Sequence, residues 1–230
     1  FDINKKKAKE ISEKYNVKNI TNINSIFDFK PTFTVICTFP WTHQKFMEKS
    51  IDANCHIFVE KPLSSNLEGI EKILKSAKAK KLNIAVGHNL RLQKGLKKIQ
   101  EKINKNEIGK PLNILSQCGQ HIKLWRPHLN YKDHYILKKG GGIILDDSHE
   151  YDYIRWILND KVESVVCFTK KSKSIKTNTE SLASIMLKFK KGSTATLVID
   201  YLRPKYERNC QIIGENGSIK WNLEVEKGAS

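Results

Sequence analysis

Arginine is scarce in this chain. Only five of its 41 basic residues are arginine, although the excess over 24 acidic residues gives a net charge of +17. A surface that reads base edges or forks onto phosphates favours arginine, whose planar guanidinium offers paired donors. The lysines are scattered along the whole length, and no basic helix, zinc-finger spacing or aromatic RNP-like strand occurs. These absences argue against a nucleic-acid partner. They leave a solvated, lysine-rich surface that can still steer anionic ligands. Paired cysteines are missing too. Cys37, Cys55, Cys118, Cys167 and Cys210 are odd in number, widely spaced and without a CxxC. That suits free thiols in a reducing cytoplasm better than a disulfide frame or a zinc site. Long apolar runs are absent: FTVICTF at 33–39 is far too short to span a bilayer, so no membrane partner is expected. There is no initiating methionine. The chain opens at Phe1 in mid-pattern and closes on EKGAS, and it reads as a piece of a longer chain.

What is present alternates helix and strand through the first half. KKAKEISEKY at 6–15 is a short amphipathic helix, TFTVICTF at 32–39 a near-continuous apolar strand, and 43–53 a helix. CHIFVE at 55–60, a helical spacing over 66–81 and LNIAVGH at 82–88 complete a β-α-β-α-β order, as in a doubly wound parallel sheet buried on both faces. A helix at about 92–105 follows. Then come PLNILSQCG, a polar loop, one prominent helix after Gly140, Gly141 and Gly142, and five strand-like runs separated by Gly, Lys and Asn turns. The fold class is therefore α/β: a truncated Rossmann-type parallel-sheet domain, then an α+β domain with an open, mostly antiparallel sheet. KNEIGKP near 105–111 divides a domain at 1–106 from one at 107–230.

Such a sheet binds ligands at the carboxyl ends of its strands. Asp2 stands where an acidic residue commonly meets an adenosine ribose, although it or Asn4 can equally cap the first helix. Thr38, Phe39, Pro40, Trp41, Thr42 and His43 follow one strand, with Thr42 placed to cap the next helix. Glu60-Lys61-Pro62 follows another, and Pro62 keeps Lys61 out of helical geometry. A lysine there can donate to a substrate hydroxyl or stabilise developing negative charge. An exposed charged turn is the plainer alternative. His88, Asn89 and Arg91 close the third strand.

TFPWTH, VEKPLSSN and GHNLRL, in that order, with GGG and DDSHEYDY roughly eighty residues beyond the second, resemble the Gfo/Idh/MocA family of NAD(P)-dependent oxidoreductases. Phe39 departs from the family's usual proline, Leu92 from its usual aromatic, and D-D-S-H-E is one residue shorter than D-x-G-x-H. The resemblance implies a nicotinamide cofactor, NAD or NADP, and a dinucleotide-binding domain whose first strand and glycine phosphate loop are not in this chain. Poor cofactor binding and little activity are then expected of these residues alone. It implies Lys61, Asp146 and His149 as catalytic groups, the helix after the glycines facing the nicotinamide. Asp2, Thr38, Phe39, Pro40, His43, Glu60, Lys61 and Asn89 are the implied cofactor contacts. The subgroup with a DLSHE-type pattern points to a sugar or nucleotide-sugar substrate, and relatives that pair through the open sheet imply a homo-oligomer. A non-catalytic dinucleotide- or sugar-binding protein of the same fold is the alternative.

The chemistry suits these residue types. Oxidising a carbinol releases a hydride to the cofactor and a proton to the protein. A histidine titrates near working pH, and Asp146 and His149, three apart on one helix, share a face. The glycines permit close approach and unusual φ, and the helix start they create favours anions. Lys61, Arg91, Trp125, Arg126, Tyr135 and Glu150 are candidate substrate contacts, whereas Asp147 and Asp152 read as structural. Asp146, His149, His121 and His134 could ligate a metal, but no H-x-x-x-H or cysteine cluster supports it, and no metal is expected.

Overall fold

The computed structural model describes residues 1–125, 127, 130–131 and 141–223. They form two compact units, Phe1–Gly87 and His88–Ser230.

In the first unit, helix α1 (Lys5–Tyr15) starts at Asn4, whose side chain accepts the Lys7 N–H, and stops at Asn16 in left-handed geometry. After a 3-10 helix at Ile23–Phe29, β1 (Phe33–Ile36), α2 (Pro40–Asp52), β2 (His56–Val59), α3 (Ile70–Ala79) and β3 (Ile84–Val86) follow in chain order. The three strands are parallel, ordered β1-β2-β3, with Val35 beside Phe58 and Phe58 beside Ala85. Ile36, Ile57 and Val59 point to one face and bury Met47 and Ile51 of α2 and Ile70, Ile73 and Ala77 of α3. Each of the larger side chains contributes about 1.5–3 kcal/mol by leaving water. The opposite face differs from the expected two-sided burial: Phe33 and Val35 remain 62% and 57% exposed, since both packed helices lie on the other side.

The second unit begins with a 3-10 helix at Asn89–Leu92. It continues through α4 (Lys94–Asn104), β4 (Pro111–Gly119), α5 (Ile122–Trp125), α6 (Gly142–Asp146), α7 (His149–Leu158) and strands β5 (Val162–Lys170), β6 (Leu182–Phe189), β7 (Thr194–Asp200), β8 (Glu207–Gly214) and β9 (Gly217–Asn222). The six-stranded sheet runs β5-β6-β7-β4-β8-β9. Only β4 and β7 pair in parallel; the other neighbours are antiparallel. One face carries Ile114, Ala183, Ile185, Leu197 and Ile212, buried against Tyr153, Ile154 and Ile157 of α7. Helix α4 lays Leu96 and Ile99 on this same core. Gly95 lets it approach closely, because a Cβ there would lie 2.6 Å from the Trp221 indole nitrogen. The compact division therefore precedes α4, whereas composition placed the change of texture after it.

The segment expected as one helix behind the glycines is two, broken at Asp147 and Ser148. Asp147 (φ −98°, ψ 45°) turns the chain, and its buried carboxylate reaches Arg208 of β8. The i, i+3 relation between Asp146 and His149 thus does not hold as a helical one.

Candidate active site

In the first unit three strand ends share the carboxyl edge of the parallel sheet. His43, wholly buried on α2, braces two of them: Nδ1 lies 3.0 Å from the Pro62 carbonyl and Nε2 2.9 Å from the Thr38 carbonyl. Its ring is spent on the backbone of the TFPW and EKP turns and is closed to a ligand. Pro40 is the buried first residue of α2, where its missing N–H costs nothing. Thr42 does not cap this helix. It lies inside the first turn and donates to the Phe39 carbonyl at 2.7 Å, while Phe39 holds the cap position without a side-chain bond. The exposed Phe39 ring stacks on Trp41, centroids 4.7 Å apart. Glu60 accepts the Lys61 N–H at 3.2 Å, and Lys61 itself is half-buried ahead of a cis Pro62. Gly87 admits the Glu60 carboxylate, which a Cβ would meet at 3.1 Å. Asp2 accepts the Asn4 N–H at 2.8 Å, supporting the cap of α1.

In the second unit Gly141 and Gly142 have φ of 139° and 50°. A Cβ on Gly142 would collide with the Glu180 carboxylate. The anion at the start of α6 is thus internal: Glu180 accepts the Ile144 N–H through its side chain and the Ile143 N–H through its carbonyl, both at 3.3 Å. At the other end of α6, Asp146 is buried and accepts from the Tyr201 hydroxyl at 2.9 Å. Asp147 meets Arg208 Nη2 at 2.6 Å.

Glu150, expected to touch substrate, is fully buried instead. One oxygen accepts from Ser116 Oγ at 2.9 Å; the other lies 2.9 Å from Arg208 Nε, an ion pair by distance without the alignment of a hydrogen bond. Ser116 in turn bonds the Tyr153 hydroxyl at 2.7 Å. Its place between helix and sheet makes Glu150 a structural group. Burial pushes its carboxyl up to about 7, with Asp147 adding to the rise and Arg208 opposing it. Burial by itself would weaken the Arg208 charge, but Asp147 and Glu150 outweigh it and hold the guanidinium above its ordinary range. Among the described residues, Cys118, Asp147 and Glu150 are the group that could hold a metal, their ligand atoms within 4.8 Å. This is a different set from the histidines and Asp146 of the sequence reading, and Arg208 already supplies a cation to it.

His149 opens α7, its ring edge-to-face with His88 at 5.5 Å between centroids. Asp152, one turn on, holds Arg91 by two bonds of 2.7 and 2.5 Å and lies 3.9 Å from His88 Nδ1. The Arg91 fork is therefore engaged within the protein, although 47% of its side chain stays exposed. Asn89 is exposed on the same 3-10 helix. Trp125 donates to the Gln120 carbonyl at 3.1 Å and packs edge-on against Tyr201. Arg126, His134, Tyr135 and Gly140 lie outside the described residues. Sequence reasoning missed Arg208, Tyr201 and Ser116. Ser116 and Arg208 sit on strands and Tyr201 just past one, with no motif around them, and only an odd arginine in a lysine-rich chain marked Arg208.

Two family models match the chain: one described as the GFO/IDH/MocA C-terminal domain over residues 96–220, the other as an oxidoreductase family, NAD-binding Rossmann fold, over residues 1–88. The myo-inositol 2-dehydrogenase of Thermotoga maritima is 28% identical over 231 residues, covering 95% of this chain and 65% of that protein. The chain thus spans just under two thirds of that relative's length. Among solved structures, a probable dehydrogenase from Thermotoga maritima superposes with a TM-score of 0.87 at 24% identity, covering 98% of this chain and 68% of the other. An inositol dehydrogenase homolog complexed with NAD+ from Azotobacter vinelandii gives 0.85 at 16% identity, covering 96% and 62%. At these identities the two structures speak for the fold.

Proposed function

The chain belongs to the Gfo/Idh/MocA oxidoreductase family, and from that premise we propose that it serves as an NAD-dependent dehydrogenase or reductase acting on a carbinol of a cyclic polyol or sugar. The observation that carries this reading is the coincidence of both family matches with three groups at element ends: Lys61 after β2, Asp146 closing α6 and His149 opening α7. An element end is where a rigid backbone can present a side chain to a ligand.

NAD fits the first unit. Parallel strands bring Thr38, Phe39, Glu60 and Lys61 to one carboxyl edge, where the missing Gly87 side chain lets the Glu60 carboxylate lie against the third strand end. When bound, the nicotinamide exchanges the hydride. Lys61 donates to the carbinol oxygen and steadies its developing negative charge. His149 takes the hydroxyl proton, and the Asp146 carboxylate favours the protonated ring that results. His43 fixes the turns that hold Thr38 and Lys61 without touching the ligand. The inositol dehydrogenases among the relatives favour a cyclitol or related polyol over a nucleotide sugar. Trp125 is offered as a ring-facing contact and Arg91 as a polar one.

Free cysteines throughout suit a cytoplasmic setting, and no helix among the described residues is long and apolar enough to cross a membrane. The open face of the second sheet, with Leu115, Val166, Phe168 and Met186 exposed, is assigned to pairing with a second copy.

The test is turnover of the full-length protein, followed by nicotinamide absorbance on myo-inositol, other cyclitols, free sugars and nucleotide sugars. Lys61→Ala and His149→Ala are each expected to lower kcat by roughly a hundredfold or more while NAD affinity by calorimetry stays near wild type. Wild-type turnover in both variants would reject the assignment. NAD binding with no turnover on any carbinol would favour a non-catalytic binding protein.

A further inference from the structure

We propose that Arg208 is a positioning residue: its guanidinium clamps the turn between α6 and α7 and so sets where Asp146 and His149 stand. The inference rests on the catalytic reading of those two residues given above.

Backbone bonds hold the turn on one side and loosen on the other. The Asp147 N–H closes α6 on the Ile143 carbonyl at 3.0 Å, and the amides beyond it make longer bonds, Glu150 N–H to the Asp147 carbonyl at 3.4 Å and Asp152 N–H to the Ser148 carbonyl at 3.3 Å. Side chains add to what orients its α7 side. Asp147 follows Asp146 in the chain, and Glu150 follows His149. Arg208 joins these two flanking carboxylates, Nη2 to Asp147 at 2.6 Å and Nε to Glu150 at 2.9 Å, with 11% of its own side chain exposed. Both ends of the turn are thus referred to one group on β8. The second Glu150 oxygen is referred to Ser116 on the neighbouring strand β4, and Asp146 to Tyr201 just beyond β7.

Arginine is the residue that can do this. Its delocalised guanidinium donates through Nη2 to Asp147 and at the same time sets its Nε edge 2.9 Å from Glu150 as an ion pair, whereas a lysine offers a single point charge. The buried Cys118, Asp147 and Glu150 group has ligand chemistry for a cation, and the guanidinium is the cation it holds. A bond made in the protein interior, unscreened by water, can fix the side of the turn where the backbone bonds lengthen.

The experiment compares Arg208→Lys with Arg203→Lys in the full-length protein. Arg203, in the connection from β7 to β8, is ion-paired to Asp200 and Glu207 rather than to Asp147 or Glu150, so it serves as the control for the loss of a neighbouring arginine fork. In Arg208→Lys the charge is kept and the fork lost. It is expected to lower kcat about tenfold to a hundredfold, the effect of displacing a reacting group by an ångström or so, with KM for NAD unchanged. The ring resonances of His149, read by NMR, should shift. Arg203→Lys should leave kcat and those resonances as they are. Wild-type kcat together with unshifted His149 resonances in folded Arg208→Lys overturns the proposal. Should that variant fail to fold, Asp147→Asn keeps the shape of the turn while weakening one arm. It is expected to lower kcat about fivefold, and an unchanged kcat overturns the proposal there. If His149→Ala retains full turnover, the catalytic reading fails by itself, while a His149 shift in Arg208→Lys still supports the clamp.

Discussion

Glu150 keeps a proton that an exposed glutamate would release. Its carboxyl is raised from 4.5 to about 7, first by burial and then by the neighbouring Asp147 charge, against the pull of Arg208 and the hydrogen bonds from Tyr153 and Ser116. The consequence for stability has a definite sign. Between those two values the folded protein binds more protons than the unfolded chain, so this group's contribution is full below about pH 4.5 and is lost as pH rises through about 7. Urea melts at about pH 5 and about pH 8 should show wild type losing stability across the window, and Glu150→Gln should flatten the dependence. An unchanged slope in the variant would place the titration elsewhere. Residue types told part of this beforehand. A run of D-D-S-H-E-Y-D announced ionisable chemistry, but which carboxylate faced inward depended on Ser116 and Arg208, far away in the chain.

The start of α6 depends on a glycine for a reason specific to its surroundings. Gly142 has φ of 50°, and a Cβ would meet the Glu180 carboxylate that accepts the Ile144 N–H. Gly142→Ala is expected to cost about 1–3 kcal/mol through left-handed strain and displacement of Glu180. In a Glu180→Ala background the same change should cost less, because the collision partner is gone. Thermal or urea melts of the four proteins check it. Equal costs in both backgrounds would assign the effect to φ alone. At this scale the periodicities were legible: β4 and β5 fall at 111–119 and 162–170 as their apolar runs predict, and the KGS and GENG turns separate β6 from β7 and β8 from β9. The break between α6 and α7 was not read from the sequence, although Asp147 and Ser148 are residue types that favour helix starts and Ser148 does hold the cap position of α7. At the break Asp147 pairs with Arg208, sixty-one positions on in the chain.

The second sheet leaves one broad face open, with Phe168 at 72%, Val166 at 53%, Met186 at 55% and Leu115 at 41% exposed. Contiguous apolar surface of this kind favours association. Light scattering of the full-length protein is expected to find an oligomer, and Phe168→Lys with Met186→Glu is expected to give monomers without loss of secondary structure. A wild-type monomer at all concentrations would remove the pairing assignment. Elsewhere the surface is held apart by a net charge of +17, whose repulsion falls with salt; the open face is where apolar area can outweigh it.

Several properties were determined by sequence alone, because they are set locally: two successive sheet types, the strand ends that carry Thr38, Lys61 and His88, the glycine-opened segment, and a family pattern that includes NAD chemistry. Tertiary structure decided the rest, because burial and pairing join residues remote in the chain. It enclosed His43 between two carbonyls, drew α4 onto the second core, split the expected helix in two, and buried Glu150, a candidate substrate contact, beside Arg208 and Asp147. Desolvation is the physical reason: a carboxylate acts according to what surrounds it, and only the fold assembles those surroundings.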